Sequence, residues 1–138
     1  MMMNRASIKA LFAAVMAAVV LTGCAKSQED LTNELAERRA AVINSKAPYP
    51  KIDQYQIMKA KAQQNIVEIT ILYGGGGKVA PTQAAQAAAA NFCSNPELTP
   101  MVSEGLGYLI QILDMRGRPV VQQPINAQFC AQIVAPGS

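Results

Sequence analysis

From Ile66 to Tyr73 apolar and polar side chains alternate, with Val67, Ile69, Ile71 and Tyr73 on one side and Glu68 and Thr70 on the other. A period of two marks a strand with one buried face. Just upstream, Tyr55, Ile57 and Lys59 alternate with Gln56, Met58 and Ala60, and Gln63-Gln64-Asn65 supplies a turn. These two runs predict a hairpin. A second hairpin is predicted near the C-terminus. Tyr108, Ile110 and Ile112 share a face of a strand over 108–113, Asp114 to Arg118 make the turn, and Pro119 to Gln123 return. Pro119 lacks an N–H to donate, which places it at an edge or a strand start.

Between and around the hairpins the period changes to that of helices. Ser27-Gln28-Glu29-Asp30 reads as a capping box with acidic residues in the first turn. Leu31, Leu35 and Val42 then fall on one helical face. Arg38 shares that face and has Glu34 one turn earlier to pair with. Ala47-Pro48-Tyr49-Pro50 ends the helix, because proline cannot continue it. Gly74 to Gly77 interrupts any regular structure. Pro81-Thr82 opens an alanine-rich helix over Gln83 to Cys93, whose inner face is Ala85, Ala88, Ala89 and Phe92, and Asn95-Pro96 stops it. Thr99 is the expected N-cap of a short helix with Pro100 in its first position, closed by Gly105 and Gly107. Asn126 can cap a last short helix that carries Cys130. The order αββααββα, without βαβ alternation, predicts an α+β fold: a small antiparallel sheet of two hairpins flanked by short helices.

The beginning of the chain follows neither period. Every residue from Ala10 to Leu21 is apolar, and the only charges before it are Arg5 and Lys9. A basic segment, an apolar segment and small residues at a cut are the marks of an export signal. The apolar run is shorter than the roughly 20 residues a helix needs to span a bilayer. It ends in Leu21-Thr22-Gly23-Cys24, which resembles the lipobox, where diacylglycerol is attached to the cysteine, the chain is cut before it and the new amino terminus is acylated. Residues 1–23 are therefore expected to be a lipoprotein signal peptide, 24–30 a lipidated tether with Cys24 as the lipidation site, and 31–138 a single domain. Position 25 is Ala rather than the Asp that favours retention in the inner membrane in that sorting system. The expected location is the periplasmic face of the outer membrane.

Removing the signal changes the composition. The 138-residue chain less its first 23 leaves 115 residues, and the 12 basic residues fall to 10 against 9 acidic, so the net charge drops from +3 to +1. A domain that is nearly neutral has no electrostatic case for nucleic acid. With Cys24 committed to lipid, Cys93 and Cys130 remain in an oxidising compartment. One intrachain disulfide, Cys93–Cys130, is expected, stapling the alanine-rich helix to the C-terminal segment.

The chain contains no histidine. That removes Ser-His-Asp and Cys-His nucleophile systems and every His-ligated metal site. Gly77-Lys78 does not make a phosphate loop: Leu72 stands where the first glycine belongs and Val79 where Ser or Thr must follow the lysine. Asp53, Glu68, Glu97, Glu104 and Asp114 show no motif spacing, and a short mature chain leaves little room for a glycosidase cleft. Neither an enzyme nor a cofactor or metal is expected. Binding or assembly is the remaining class.

Several short segments occur in a distinctive order: Asn91-Phe92-Cys93-Ser94-Asn95-Pro96, Met101-Val102-Ser103-Glu104-Gly105, Gly107-Tyr108-Leu109-Ile110-Gln111-Ile112, then Asp114, Arg116-Gly117 and finally Cys130. This series resembles the type II secretion system pilotins of the AspS/GspS-beta kind, and the upstream lipobox, helix and hairpin share their layout. The Gly74–Gly77 run and the alanine-rich helix depart from that pattern. The resemblance implies an outer-membrane lipoprotein that uses the lipoprotein sorting machinery. It also implies binding to the C-terminal segment of the secretin subunit, docked as a short helix, so that the secretin assembles in the outer membrane. The sequence does not place the partner-binding surface. The alternative is a periplasmic inhibitor or ligand-binding lipoprotein, for which Gly74–Gly77 is the only candidate loop. A structural lipoprotein joining the membrane to another envelope layer is a third possibility.

The acyl chains are the one strong source of membrane affinity expected in the mature chain, since each buried CH₂ contributes about 0.8 kcal/mol. The variant Cys24→Ala is expected to leave the outer-membrane fraction, as soluble or inner-membrane-retained protein. Flotation of that variant with outer membranes would refute the anchor.

Overall fold

The structure, a computed structural model, describes residues 26–134. The expected signal peptide, Cys24 and Ala25 lie outside the described residues. The elements in order are α1 (Gln28–Lys46), β1 (Tyr55–Gln63), β2 (Ile66–Tyr73), α2 (Pro81–Ser94), α3 (Thr99–Ser103), β3 (Gly107–Leu113), β4 (Pro119–Ile125) and α4 (Ala127–Val134). This is the expected α+β order. Residues 28–30, placed in the tether by the sequence, already belong to α1, whose N-cap Ser27 accepts a hydrogen bond from the Asp30 amide at 3.1 Å. Among the described residues no helix is long and apolar enough to cross a membrane.

Both hairpins form. The four strands lie in the order β1-β2-β3-β4. Pairs β1–β2 and β3–β4 are antiparallel, but β2 and β3 run parallel, with Val67 opposite Tyr108 and Ile71 opposite Ile112. The sheet is thus mixed where a wholly antiparallel one was expected. The cause lies in the segment between the hairpins. Residues 74–106 carry α2 back along the sheet and deliver β3 at the end where β2 began. Such a crossover, a dozen residues or more with a helix in it, is what a parallel pair requires. A hairpin can be read from adjacent residues, whereas the seam between two hairpins depends on how the intervening helix packs.

One face of the sheet carries the core. Val67, Ile69, Tyr108, Ile110, Ile112 and Ile125 are all buried, and the alanines of α1 and α2 (Ala36, Ala40, Ala85, Ala89) pack into the same cluster. Alanine lets a helix axis approach a sheet closely. On α1 the buried residues are Thr32, Ala36 and Ala40, while Leu31 and Val42 are 47% and 44% exposed. The expected inner face of Leu31, Leu35 and Val42 is therefore rotated, and only Leu35 touches the core. The helix buries its small side chains because a second bond system fixes its rotation. The Asn44 amide donates to the Ala60 carbonyl at 2.8 Å, and its oxygen accepts from the Ala60 amide at 2.7 Å. These bonds satisfy backbone groups on the outer edge of β1, which would otherwise be open for pairing. Arg38 meets Glu34 at 2.6 Å as the spacing suggested, and Glu34 also meets Lys26 at 2.9 Å. The Lys26 hydrogen bond leads in holding the Glu34 carboxyl below its usual range. Exposed pairs of this kind contribute little to stability.

Strand β1 departs from simple alternation too. Its register shifts between Ile57 and Lys59. The extra residue, Met58, lets Ala60 and Ala62 follow Tyr55 and Ile57 onto the core side, and Lys59 is exposed. A bulge adds one residue to one strand, and here it reverses the face that strict period two assigned to Lys59 and Ala60. The short helix α3 also begins differently. Leu98 occupies the N-cap, and the Thr99 hydroxyl donates back to the Asn95 carbonyl at 2.7 Å. Gly105 ends that turn at φ +115°, a conformation that favours glycine. Asn126 caps α4 as expected, its side-chain oxygen accepting from the Phe129 amide at 2.8 Å.

Cys93 and Cys130 form the disulfide, with Cα atoms 5.3 Å apart. It joins the end of α2 to α4. In the chain-entropy account a loop of this length contributes roughly 4 kcal/mol, a large share of the roughly 5–15 kcal/mol available to a small domain. Cys93→Ser is therefore expected to lower the unfolding free energy by a few kcal/mol. Denaturant melts of the oxidised protein and the variant measure the loss, and thiol counting on denatured, unreduced protein should find no reactive pair at 93 and 130.

Candidate functional site

The helices cover the sheet unevenly. Pro48 and Pro50 end α1 opposite the middle of β1, where Asn44 holds Ala60. The chain then turns along the outer edge of β1: the Tyr49 amide donates to the Ile57 carbonyl at 3.1 Å, and the Gln56 side chain donates to the Tyr49 carbonyl at 2.9 Å. Beyond that point no helix among the described residues lies over Ile57 and Ile71, which are only half-buried. The result is a groove of about 500 Å³. Its floor is Ile57, Ile71, Ile110 and Ile112. One wall is Tyr49, Pro50 and Ile52, and the other is the alanine face of α2 at Ala84, Ala85, Ala87 and Ala88. Alanine keeps that wall low, so the space stays open. Volume and lining fall within the range of sites that take apolar ligand surface.

A glycine strap closes one end. Tyr55 and Tyr73 stack there with ring centroids 4.7 Å apart. The Tyr55 hydroxyl donates to the Val79 carbonyl at 2.6 Å, the Val79 amide donates to Asp53 Oδ2 at 3.3 Å, and the Gly77 amide donates to the Tyr73 hydroxyl at 3.2 Å. A Cβ on Gly77 would fall 2.6 Å from Asp53 Oδ2, so any larger residue would displace the Asp53 carboxylate from the strap. Burial, then the neighbouring Tyr73 and Asp53, push the Tyr55 phenol above its ordinary range and keep it a donor. Gly74–Gly77 is thus tied back beside the groove at Gly77 and Val79.

The groove chemistry is almost wholly apolar. Asp53 is the one charged residue among its lining, and it already accepts from the strap. Among the described residues no cluster of His, Cys, Asp and Glu could hold a metal ion. Ile52, 76% exposed, and Val79, 41% exposed, stand at the groove as apolar side chains without cover. Of the residues singled out from the sequence, Cys93 and Cys130 are brought together at the far end of α2, and Cys24 lies outside the described residues. The groove residues were not legible as a site. Ile52 and the alanine run were the available signals, and each reads equally well as loop or core.

This arrangement has relatives. The family described as type II secretion system (T2SS) pilotin, S protein, matches residues 28–130. The chain belongs to that pilotin family. Two Escherichia coli proteins, Lipoprotein YghG and, from an enterotoxigenic strain, Pilotin AspS 2, are each 27% identical over 118 residues, covering 84% of this chain and 85% of theirs. The pilotin of the Vibrio vulnificus type 2 secretion system, EpsS, superposes with a TM-score of 0.67 at 25% identity, over 75% of this chain and 94% of that one. In this pilotin the groove gives a direct test. Ile52→Asp and Ala87→Arg alter exposed positions and are expected to change stability by no more than about 0.5 kcal/mol. Each should sharply reduce binding of an apolar fluorescent dye. Gln86→Arg, on the same helix outside the groove, should not. Equal dye binding by all three would show that the groove is not an apolar site.

Proposed function

We propose that this pilotin is a lipid-anchored protein of the periplasmic face of the outer membrane, and that its groove takes the C-terminal segment of the type II secretion secretin. The carrying observation is the groove itself, an uncovered apolar floor between α1 and α2 in a member of the pilotin family. A short amphipathic helix laid in such a groove is a common recognition mode, with apolar anchors at i, i+3 or i+4, and i+7. Lipid at Cys24 supplies the address through the lipoprotein sorting route, and the folded domain supplies the clamp. The protein acts by binding and needs no cofactor. An inhibitor would present a protruding loop to an enzyme, and the tethering of Gly77 and Val79 to Tyr73, Asp53 and Tyr55 disfavours Gly74–Gly77 in that role.

Calorimetry of the unlipidated mature chain with a peptide from the secretin's C-terminal end tests the proposal. Binding is expected with a negative heat-capacity change, the mark of apolar burial. It should persist in moderate salt, since a mature chain near +1 gains little from long-range charge. Ile52→Asp should weaken it by about tenfold or more, as loss of an exposed apolar anchor does. In cells, deletion of the gene should leave secretin multimers in the inner membrane and stop type II export. Correct secretin placement in a deletion strain without a redundant pilotin would remove the proposal and favour an inhibitor or ligand-binding role.

A further inference from the structure

We propose that the glycine strap and the cations around it form a carboxylate-binding site at the mouth of the groove, which takes an Asp or Glu side chain of the docked secretin segment. This rests on docking in the groove and adds what the segment carries beside its apolar anchors. The strap has a second hollow behind it. Tyr55 lines the groove, and Tyr73, stacked on Tyr55, lines a space of about 330 Å³ with Gly74, Gly75, Asp114, Arg116 and Arg118. Two lysines flank the same strap. The Lys51 ammonium comes within 4.0 Å of where a Cβ on Gly74 would lie, and Lys78 follows Gly77 directly. The Gly75 and Gly76 amides have no acceptor among the described residues, and a Cβ on either glycine would meet only open space.

Charge sets this pole apart. Lys51, Lys78, Arg116 and Arg118 stand here against Asp53 and Asp114, a surplus of two positive charges in a mature chain of net +1. The other seven carboxylates lie elsewhere: Glu29, Asp30, Glu34 and Glu37 on α1, Glu68 on β2, and Glu97 and Glu104 on either side of α3. Both carboxylates at the pole are already engaged. Asp53 accepts from the Val79 amide, while Asp114 accepts from the Arg116 and Arg118 amides and pairs with the Arg118 side chain. Lys51, Lys78 and Arg116 are exposed and form no ion pair among the described residues. A carboxylate brought to the strap therefore meets three uncommitted cations and two free amides. Hydrogen bonds to an ionised group are roughly twice as strong as neutral ones, and basic clusters recur as readers of acidic motifs. The occupant is part of whatever fills the groove, because Asp53 and Val79 both line the groove and hold the strap.

Calorimetry of the unlipidated mature chain at about 0.15 M salt tests the site with two synthetic peptides. One is the secretin's C-terminal segment, and the other is the same peptide with every Asp and Glu replaced by Asn and Gln. Arg116→Glu and Lys78→Glu are each expected to weaken the acidic peptide about fivefold or more, to leave the amide peptide unaffected and to melt like the wild type. Lys59→Glu, exposed on β1, should change neither affinity. In about 1 M salt the gap between the peptides should close, while the apolar floor keeps both bound. Equal affinity of the wild type for the two peptides overturns the carboxylate site, as do equal losses for both peptides in the Arg116 and Lys78 variants. So does binding to vesicles of phosphatidylethanolamine and phosphatidylglycerol that is lost in those variants while peptide affinity is kept, which assigns the pole to a lipid headgroup. A wild-type chain that binds neither peptide overturns docking in the groove, on which the site rests.

Discussion

The prolines at positions 48 and 50 set the constraint on which the rest depends. Neither can donate a backbone hydrogen bond to a helix, so α1 stops opposite the middle of β1. Had it continued, it would have covered Ile57 and Ile71, and the sheet face would have been sealed. Instead the chain swings to the outer edge of β1 and binds it through Tyr49, and the upper half of the apolar face is left as a floor. The Asn44–Ala60 pair fixes where α1 stands at that stopping point. It also caps an edge strand that could otherwise recruit a foreign strand.

The opposite wall is maintained by other means. Helix α2 meets the sheet through Ala85 and Ala89, so it sits low, and its end is held by the disulfide to α4. Phe92 packs on Tyr108 with ring centroids 4.8 Å apart, an anchoring aromatic contact near the same end. The upper half of α2, where Ala84, Ala87 and Ala88 line the groove, has no such attachments among the described contacts. One rigid end and one low apolar wall keep the groove open. The amino-terminal end of α1 and the groove then fall at opposite ends of that helix.

The β3–β4 turn shows how local chemistry supports this layout. Asp114 accepts from the amides of Arg116 and Arg118, both at 2.9 Å, and meets the Arg118 side chain at 3.3 Å. The Arg118 amide is the leading cause of a carboxyl held below its ordinary range. The turn therefore keeps its charged acceptor through the ordinary carboxyl range and loses it on acidification below that range. The hairpin presents its closed end at the same pole as the groove, and Gly117, at φ +82°, completes it.

The sequence by itself determined what depends on neighbours along the chain. Alternation over 66–73 and 108–113, the cap at Ser27, the cap at Asn126 and the turn at Asp114 were all legible, because each is decided within a few residues. So was the chemistry that the chain lacks, since an absent histidine needs no structure, and the ordered segments from Asn91 to Cys130 carried the family resemblance. Tertiary structure decided the rest. The helix face of α1 went to Thr32, Ala36 and Ala40 because close packing and the Asn44 bonds outweighed the larger side chains of Leu31 and Val42. The bulge at Met58 reset which residues of β1 face inward, and the crossover through α2 made the central strand pair parallel. The groove exists only where these three choices meet: it is a surface left uncovered by elements far apart in sequence, and no local pattern encodes what will fail to be covered.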